Sequence, residues 1–238
     1  RIAVIDTGVN HDPRLTHLDG GGDYVSTGDG TQDCDGHGTA VAGIVADIAP
    51  AATLLAIRQS TVKFGATGDP AGSGYGDVDT MARAVRTAAD AGATVINISA
   101  VACASGPLHD AALGAALAYA VDVRNAVVVA AAGNAGGCPA QDPGDGELSW
   151  AQATVAVSPA WYDDYVLTVG SLDEAGRPSA FTQPGPWVDV AAPGENMVPG
   201  APSEVPVSGT SYAAPVVSGV VALLRAHSPG LTARQVMQ

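Results

Sequence analysis

Six short runs of β-branched and small apolar residues, at positions 2–5, 53–57, 94–98, 127–131, 166–169 and 188–191, show no alternation of apolar and polar side chains. A strand with one wet face alternates with a period of two. Uninterrupted apolar strands therefore read as buried on both faces, as in a parallel sheet covered by helices above and below. Stretches with helical spacing fall between them, at 37–47, 78–91, 108–123 and 211–226. In the second, Val78, Met81, Ala82, Val85 and Ala89 share one side. Positions 64–75 and 135–147 collect Gly, Pro and Asp and read as loops, and Thr232 with Gln235 forms a capping-box signal for one more short helix. Neither a linker nor an internal repeat divides the chain. The expected fold is α/β: one domain over residues 1–238, a mostly parallel sheet flanked by helices on both faces. In such sheets ligands gather beyond the carboxyl ends of the strands, so residues that follow strands are the first to search for chemistry.

Composition narrows the function. A chain of 238 residues with 47% hydrophobic and 14% charged residues has ample material for a buried core and is not disordered. The net charge of −14 repels phosphate backbones and anionic lipid surfaces, which excludes nucleic-acid binding. The longest apolar stretch, 213–224, is too short to span a bilayer and contains Pro215, Ser218 and Gly219. The chain opens inside a strand and closes on the last helix signal, which reads as a domain cut from a longer protein at both ends.

Three short motifs carry chemistry, each with a bland alternative. Asp6, in Val4-Ile5-Asp6-Thr7-Gly8, puts a carboxylate at a strand's carboxyl end; the same triplet serves as a plain strand-to-turn device and as the aspartic-protease signature. His37, in Asp35-Gly36-His37-Gly38-Thr39, starts a helix between two glycines, and a capping or surface histidine is the simpler reading. Ser211, in Ser208-Gly209-Thr210-Ser211-Tyr212, enters an apolar helix, where a serine is most often an N-cap; the alternative is a nucleophile at the positive end of the helix dipole. Together they supply a nucleophile, a base and an orienting carboxylate, each at an element end on one side of the sheet. Asn134, after Ala130-Ala131-Ala132-Gly133, adds an amide that can donate to a developing oxyanion, or a left-handed turn residue.

In this order, Asp then His then Ser, the motifs resemble the subtilisin-like serine proteases over essentially the whole chain. The resemblance implies a subtilisin-like fold, a triad of Asp6, His37 and Ser211, and Asn134 as oxyanion donor. It also implies that Ser99, Ala100 and Val101 pair with the substrate backbone and that Ala132 and Gly133 wall the pocket for the residue before the scissile bond. Where many relatives carry Ser-Leu-Gly-Gly, this chain has Ser99-Ala100-Val101-Ala102, which narrows the expected substrate edge. The short connection 48–52 has no room for the calcium-binding insertion of stabilised relatives, so no metal and no cofactor is expected; Asp142 and Asp145 read as solvated surface.

A narrower likeness lies in 33–39, 148–150, 159–170 and 185–194, which are similar to the mycosins, subtilases associated with type VII secretion in actinomycetes. It implies an extracytoplasmic, cell-envelope protease whose partners are a peptide or protein substrate and the type VII secretion membrane complex, with membrane contact only through a C-terminal anchor outside this chain. Cys103 follows the substrate-edge segment and Cys138 the Asn134 turn, neighbouring loops at one end of the sheet, so a Cys103–Cys138 disulfide is expected. Cys34 has two readings: a small buried thiol, or, by the mycosin likeness, a half-cystine whose partner lies in an N-terminal extension. The expected function is a serine endopeptidase working through an acyl-enzyme. The alternatives are a structural subunit of a secretion complex with incidental catalysis, and a secreted digestive subtilase.

Overall fold

Each of the six apolar runs holds a strand in the computed structural model of the chain, which describes residues 1–63, 75–141, 148–199 and 205–238. The strands are β1 Ile2–Asp6, β2 Leu18–Asp23, β3 Leu54–Arg58, β4 Val95–Ile98, β5 Ala102–Ala104, β6 Val127–Ala131, β7 Ala156–Ser158, β8 Leu167–Leu172 and β9 Val190–Pro193. The helices are α1 His37–Ile48, α2 Val78–Asp90, α3 Ala111–Ala118, α4 Thr210–His227 and α5 Ala233–Val236, with a π-helical turn, Tyr119–Val123, extending α3. Seven strands make one parallel sheet in the order β2-β3-β1-β4-β6-β8-β9. Every residue of β1, β3, β4 and β6 is buried, which is why none of them alternates in polarity. α1 packs against α4 and α2 against α3.

Three strands escape the periodic signal. β2, Leu-Asp-Gly-Gly-Gly-Asp, is a partly exposed edge strand with a register shift between Gly20 and Gly22, and it carries no apolar run. β5 and β7 pair antiparallel in a separate small sheet, and three residues are too few to show a period. Among the helices, α2 buries Met81, Ala82, Ala84, Val85, Ala88 and Ala89, with Asp77 and Thr80 capping each other's backbone at its start. α3 begins three residues later than expected, because the buried Asp110 carboxylate before it accepts from Trp161 Nε1 and from the Tyr162 hydroxyl, both at 3.0 Å. α5 starts at the Thr232–Gln235 capping box. The expected loops lie partly outside the described residues.

Position follows from topology. β1 lies between β3, which follows it in the chain, and β4, which starts the run toward the other edge. The order therefore reverses between β1 and β4, and beyond their carboxyl ends a crevice opens. Asp6 ends β1 there, and Ser99 follows β4. Among the described residues no helix is long and apolar enough to cross a membrane.

The Cys103–Cys138 disulfide is formed, its Cα atoms 5.4 Å apart, and ties β5 to the turn after β6. The two half-cystines are 35 residues apart in sequence, a loop whose closure is worth about 4 kcal/mol in the chain-entropy treatment. Replacing both by serine is expected to lower Tm by roughly 10 °C in calorimetry. An unchanged Tm would overturn the chain-entropy account of this bridge.

Candidate active site

The Asp6 side chain is 2% exposed. Its Oδ1 accepts from the Thr7 N–H and from His37 Nδ1, both at 2.7 Å. The carboxylate only accepts, so Nδ1 carries the proton and Nε2 keeps a lone pair that can accept one. His37 is the first residue of α1, after Gly36 in the left-handed region at φ 84°, and the helix start has no side-chain cap. The glycine on the other side has a steric cause: a Cβ on Gly38 would overlap the Gly8 carbonyl oxygen and come within 3.0 Å of the Asp6 Cβ. Only glycine lets α1 begin hard against the β1 turn. The N-cap is Gly36, so His37 is no cap, and its side chain, 30% exposed, is tied to Asp6 and does not lie free at the surface.

The environment acts on the imidazole in two directions. Burial disfavours its charged form, but the Asp6 charge and hydrogen bond, with further help from Asp33 and Asp35, hold its pKa above the ordinary 6.5. The Tyr212 ring lies 5.4 Å from the imidazole, and burial with the Asp6 charge pushes its phenol up.

Ser211 is the second residue of α4, and Gly209 is the N-cap, so the serine is not a cap. Its hydroxyl donates to the Ser99 carbonyl at 3.0 Å, and its own carbonyl accepts from Ser99 Oγ at 2.9 Å. The reciprocal pair depends on Pro215. In a regular helix the N–H four residues on binds the Ser211 carbonyl, and proline has none. The freed carbonyl is turned over to Ser99. Behind it, Asn97 Nδ2 donates to Ser99 Oγ at 3.0 Å and Ser218 Oγ donates to Asn97 Oδ1 at 2.8 Å, both residues fully buried. The sequence reading missed Asn97, Ser218 and Pro215 as site residues; a proline four positions after a candidate nucleophile was the available signal.

Asn134 follows β6, and the left-handed conformation belongs to Gly133, at φ 91°, so Asn134 is not the turn residue. Its Oδ1 accepts from the N–H and from the hydroxyl of Thr210, both at 3.0 Å. Two donors on the oxygen fix the amide orientation and leave Nδ2 beside Gly209, 3.3 Å from where a Cβ would sit. Ala132 is fully buried, and around Gly133 a Cβ would meet Val101 Cγ2 at 3.3 Å and Cys138 Sγ at 3.5 Å. Val101 thus packs close against Gly133. Ser99, Ala100 and Val101 carry no strand partner among the described residues. Beside them lies a pocket of about 230 Å³, lined by Val78, Met81, Leu113 and Ser158 among others. Among the described residues no three His, Cys, Asp or Glu side chains gather to hold a metal ion, and Asp142 and Asp145 lie outside them. Cys34 is a free, exposed thiol, which corrects the buried-thiol reading: its neighbour Asp33 takes the inward position.

The Subtilase family profile matches residues 1–238. The chain belongs to the subtilase family. Over 267 residues this subtilase is 60% identical to Mycosin-4 of Mycobacterium tuberculosis (strain ATCC 25618 / H37Rv), an alignment covering 100% of the chain and 58% of that relative. It spans about six-tenths of the length of the curated mycosins it matches most strongly. The MycP3 protease from the type VII (ESX-3) secretion system superposes with a TM-score of 0.83 at 45% identity, over 99% of this chain and 74% of that one. A chain in the periplasmic assembly from the ESX-5 inner membrane complex superposes with a TM-score of 0.82 at 37% identity, over 98% and 70%. The subtilisin-like fold and the mycosin likeness expected from the sequence both hold.

The steric account of Gly38 has a direct check. Gly38→Ala in this subtilase is expected to push α1 off the β1 turn and lengthen the Asp6–His37 bond, costing about 1–3 kcal/mol of stability. Denaturant unfolding and a crystal structure of the variant read both effects. A variant as stable as the parent, with that bond intact, would refute the account.

Proposed function

We propose that this subtilase is a serine endopeptidase, and the observation that carries the reading is the 2.7 Å bond between buried Asp6 and His37, at the strand-end crevice shared by Ser99, Asn134 and the start of α4. The substrate lies along Ser99–Val101 as an added strand. The side chain before the scissile bond enters the slot at Ala132 and Gly133, which Val101 narrows in favour of a small residue. Ser211 Oγ turns from the Ser99 carbonyl toward His37 and attacks the peptide carbonyl. His37 Nε2 takes the hydroxyl proton and returns it to the leaving amine, while Asp6 holds the Nδ1–H and stabilises the imidazolium. Asn134 Nδ2 and the Ser211 N–H, at the positive end of α4, receive the oxyanion. Water then attacks the acyl-enzyme by the same proton route.

The likeness to mycosins and to a chain of an ESX-5 periplasmic assembly supports an extracytoplasmic, envelope-associated protease working beside a type VII secretion membrane complex. The same likeness supports a second reading, a structural part in such an assembly; a scaffold alone does not account for the Asp6–His37 pair. A secreted digestive protease has no comparable support.

The proposal is tested by a fluorophosphonate, expected to label Ser211 in the parent and nothing in Ser211→Ala, by mass spectrometry. Because the base must be neutral and its pKa is raised, kcat/KM is expected to fall with decreasing pH along a limb centred above 6.5. Stability runs the other way: the His37 contribution is full below 6.5 and is lost as pH rises through the raised value. Labelling elsewhere, or a rate indifferent to pH between about 5 and 8, would remove the triad assignment. Asn134→Leu is expected to lower kcat roughly 10²–10³-fold with KM nearly unchanged, the size of loss known for the corresponding donor of subtilisin. A loss in KM alone would take Asn134 out of the oxyanion site.

A further inference from the structure

Asp33 is 6% exposed, and no Lys or Arg pairs with it among the described residues. Its carboxylate takes five hydrogen bonds. Oδ1 accepts from Thr7 Oγ1 at 2.8 Å, from the Gly36 N–H at 2.8 Å and from the Asp35 N–H at 3.1 Å. Oδ2 accepts from the Thr39 N–H at 2.8 Å and from Thr39 Oγ1 at 2.7 Å. The donors come from two places: the turn that follows Asp6, through Thr7, and the chain on both sides of His37, through Gly36 and Thr39. Thr7 Oγ1, donating to Asp33, accepts in turn from the Gly38 N–H at 3.0 Å. Asn10 locks the Asp33 backbone in place, donating from Nδ2 to its carbonyl at 2.7 Å and accepting its N–H on Oδ1 at 2.9 Å.

We propose that Asp33 is a positioning residue for the Asp6–His37 pair: one buried carboxylate that fastens the turn carrying the acid to the helix start carrying the base, and that supplies a fixed negative charge behind the imidazole. This rests on the protease reading only for its kinetic consequences. α1 has no cap of its own, since Gly36 lacks a side chain, and Asp33 meets the Gly36 and Thr39 N–H groups in place of one. A cap alone needs no link to the β1 turn. The Thr7 bond supplies that link, and through Gly38 it sets where the imidazole stands relative to Asp6. Among the described residues Asp6, from the end of β1, and Tyr212, from α4, stand against the imidazole, and the charges of Asp33 and Asp35, in the loop before α1, act on it without touching it. Lys63 donates to the Cys34 carbonyl, not to Asp33. The Asp33 charge raises the basicity of His37, after the charge and hydrogen bond of Asp6 and against the lowering by burial.

Two variants separate geometry from charge. Asp33→Asn removes the charge and sets an NH₂ group against N–H or O–H donors. Thr7→Val keeps the charge and cuts the link to Gly38. Both are made in the active chain for kinetics and in a Ser211→Ala background for NMR titration of the His37 imidazole, assigned among the five histidines by His37→Gln. Asp33→Asn is expected to move the imidazole midpoint down by about 0.5–1 pH unit. Thr7→Val is expected to leave the midpoint in place and lower the kcat/KM plateau roughly 10-fold or more, mostly in kcat. In both, the downfield Nδ1 proton held by Asp6 is expected to shift or broaden. If Asp33→Asn does not fold, Thr7→Val decides by its plateau and its Nδ1 proton. An unmoved midpoint in folded Asp33→Asn, or a Thr7→Val plateau and Nδ1 proton matching the parent, reduces Asp33 to a helix cap and overturns the proposal. Should the parent itself fail to react with a fluorophosphonate, the protease reading falls, while the midpoint and the Nδ1 proton still judge Asp33.

Discussion

The arrangement depends on a carboxylate sealed at the end of a buried strand. An ionised carboxylate removed from water is unstable unless hydrogen bonds replace its hydration, and the Asp6 side chain is left with 2% of its surface. Oδ1 receives the Thr7 N–H and the His37 Nδ1–H, while Oδ2 is buried without a partner among the described residues. Among the described residues the imidazole is therefore one of two groups that satisfy this charge. Moving the ring away leaves the carboxylate worse solvated, which is what holds the ring. The close approach of α1 to the β1 turn, and the glycine that permits it, follow from that need.

The Ser211 side is built on a different principle. Ser211 sits where a helix start leaves backbone N–H groups unused, and the dipole there favours developing negative charge. Its place is fixed by Pro215, which gives up a helix bond so that the Ser211 carbonyl is free for Ser99. From there a chain of buried hydrogen bonds runs through Asn97 to Ser218, back on α4. A helix interior and a sheet strand are thereby joined by direct side-chain hydrogen bonds. The two halves meet because β1 and β4 are neighbours at the point where strand order reverses.

The cleft walls have their own support. The disulfide joins β5 to the turn after β6. Asp110 holds the indole of Trp161 and the phenol of Tyr162 against the start of α3, and burial together with Asp110 pushes that phenol up to about 12. Gly114 leaves room for the Tyr162 ring against the α3 backbone. The segment 159–170, which carried much of the mycosin likeness, thus works in this chain as a brace for α3 and β8: Thr168 Oγ1 donates to the Ala160 carbonyl and the Thr168 N–H to Asp189. The protein's acidity divides between roles: some carboxylates, Asp6, Asp33 and Asp110 among them, are buried hydrogen-bond acceptors, while others stand at the surface.

The sequence alone determined the parallel sheet, because unbroken apolar runs permit no wet face, and it determined the four long helices from their spacing. It also marked Asp6, His37, Ser211 and Asn134 as candidates, since each stands in a short motif at an element end with glycine nearby. It did not determine β2, β5 and β7, whose few residues or glycine content carry no period. Nor did it determine which neighbour each polar group would find. That Asn134 presents its Nδ2 and not its oxygen depends on Thr210, 76 residues away; that Ser211 is no cap depends on Gly209; that Asp33 faces inward and Cys34 outward depends on Thr7 and Thr39 reaching one carboxylate. Hydrogen bonds are short and directional, so partners far apart in sequence are chosen only once packing has brought their strands and helices to within about 3 Å.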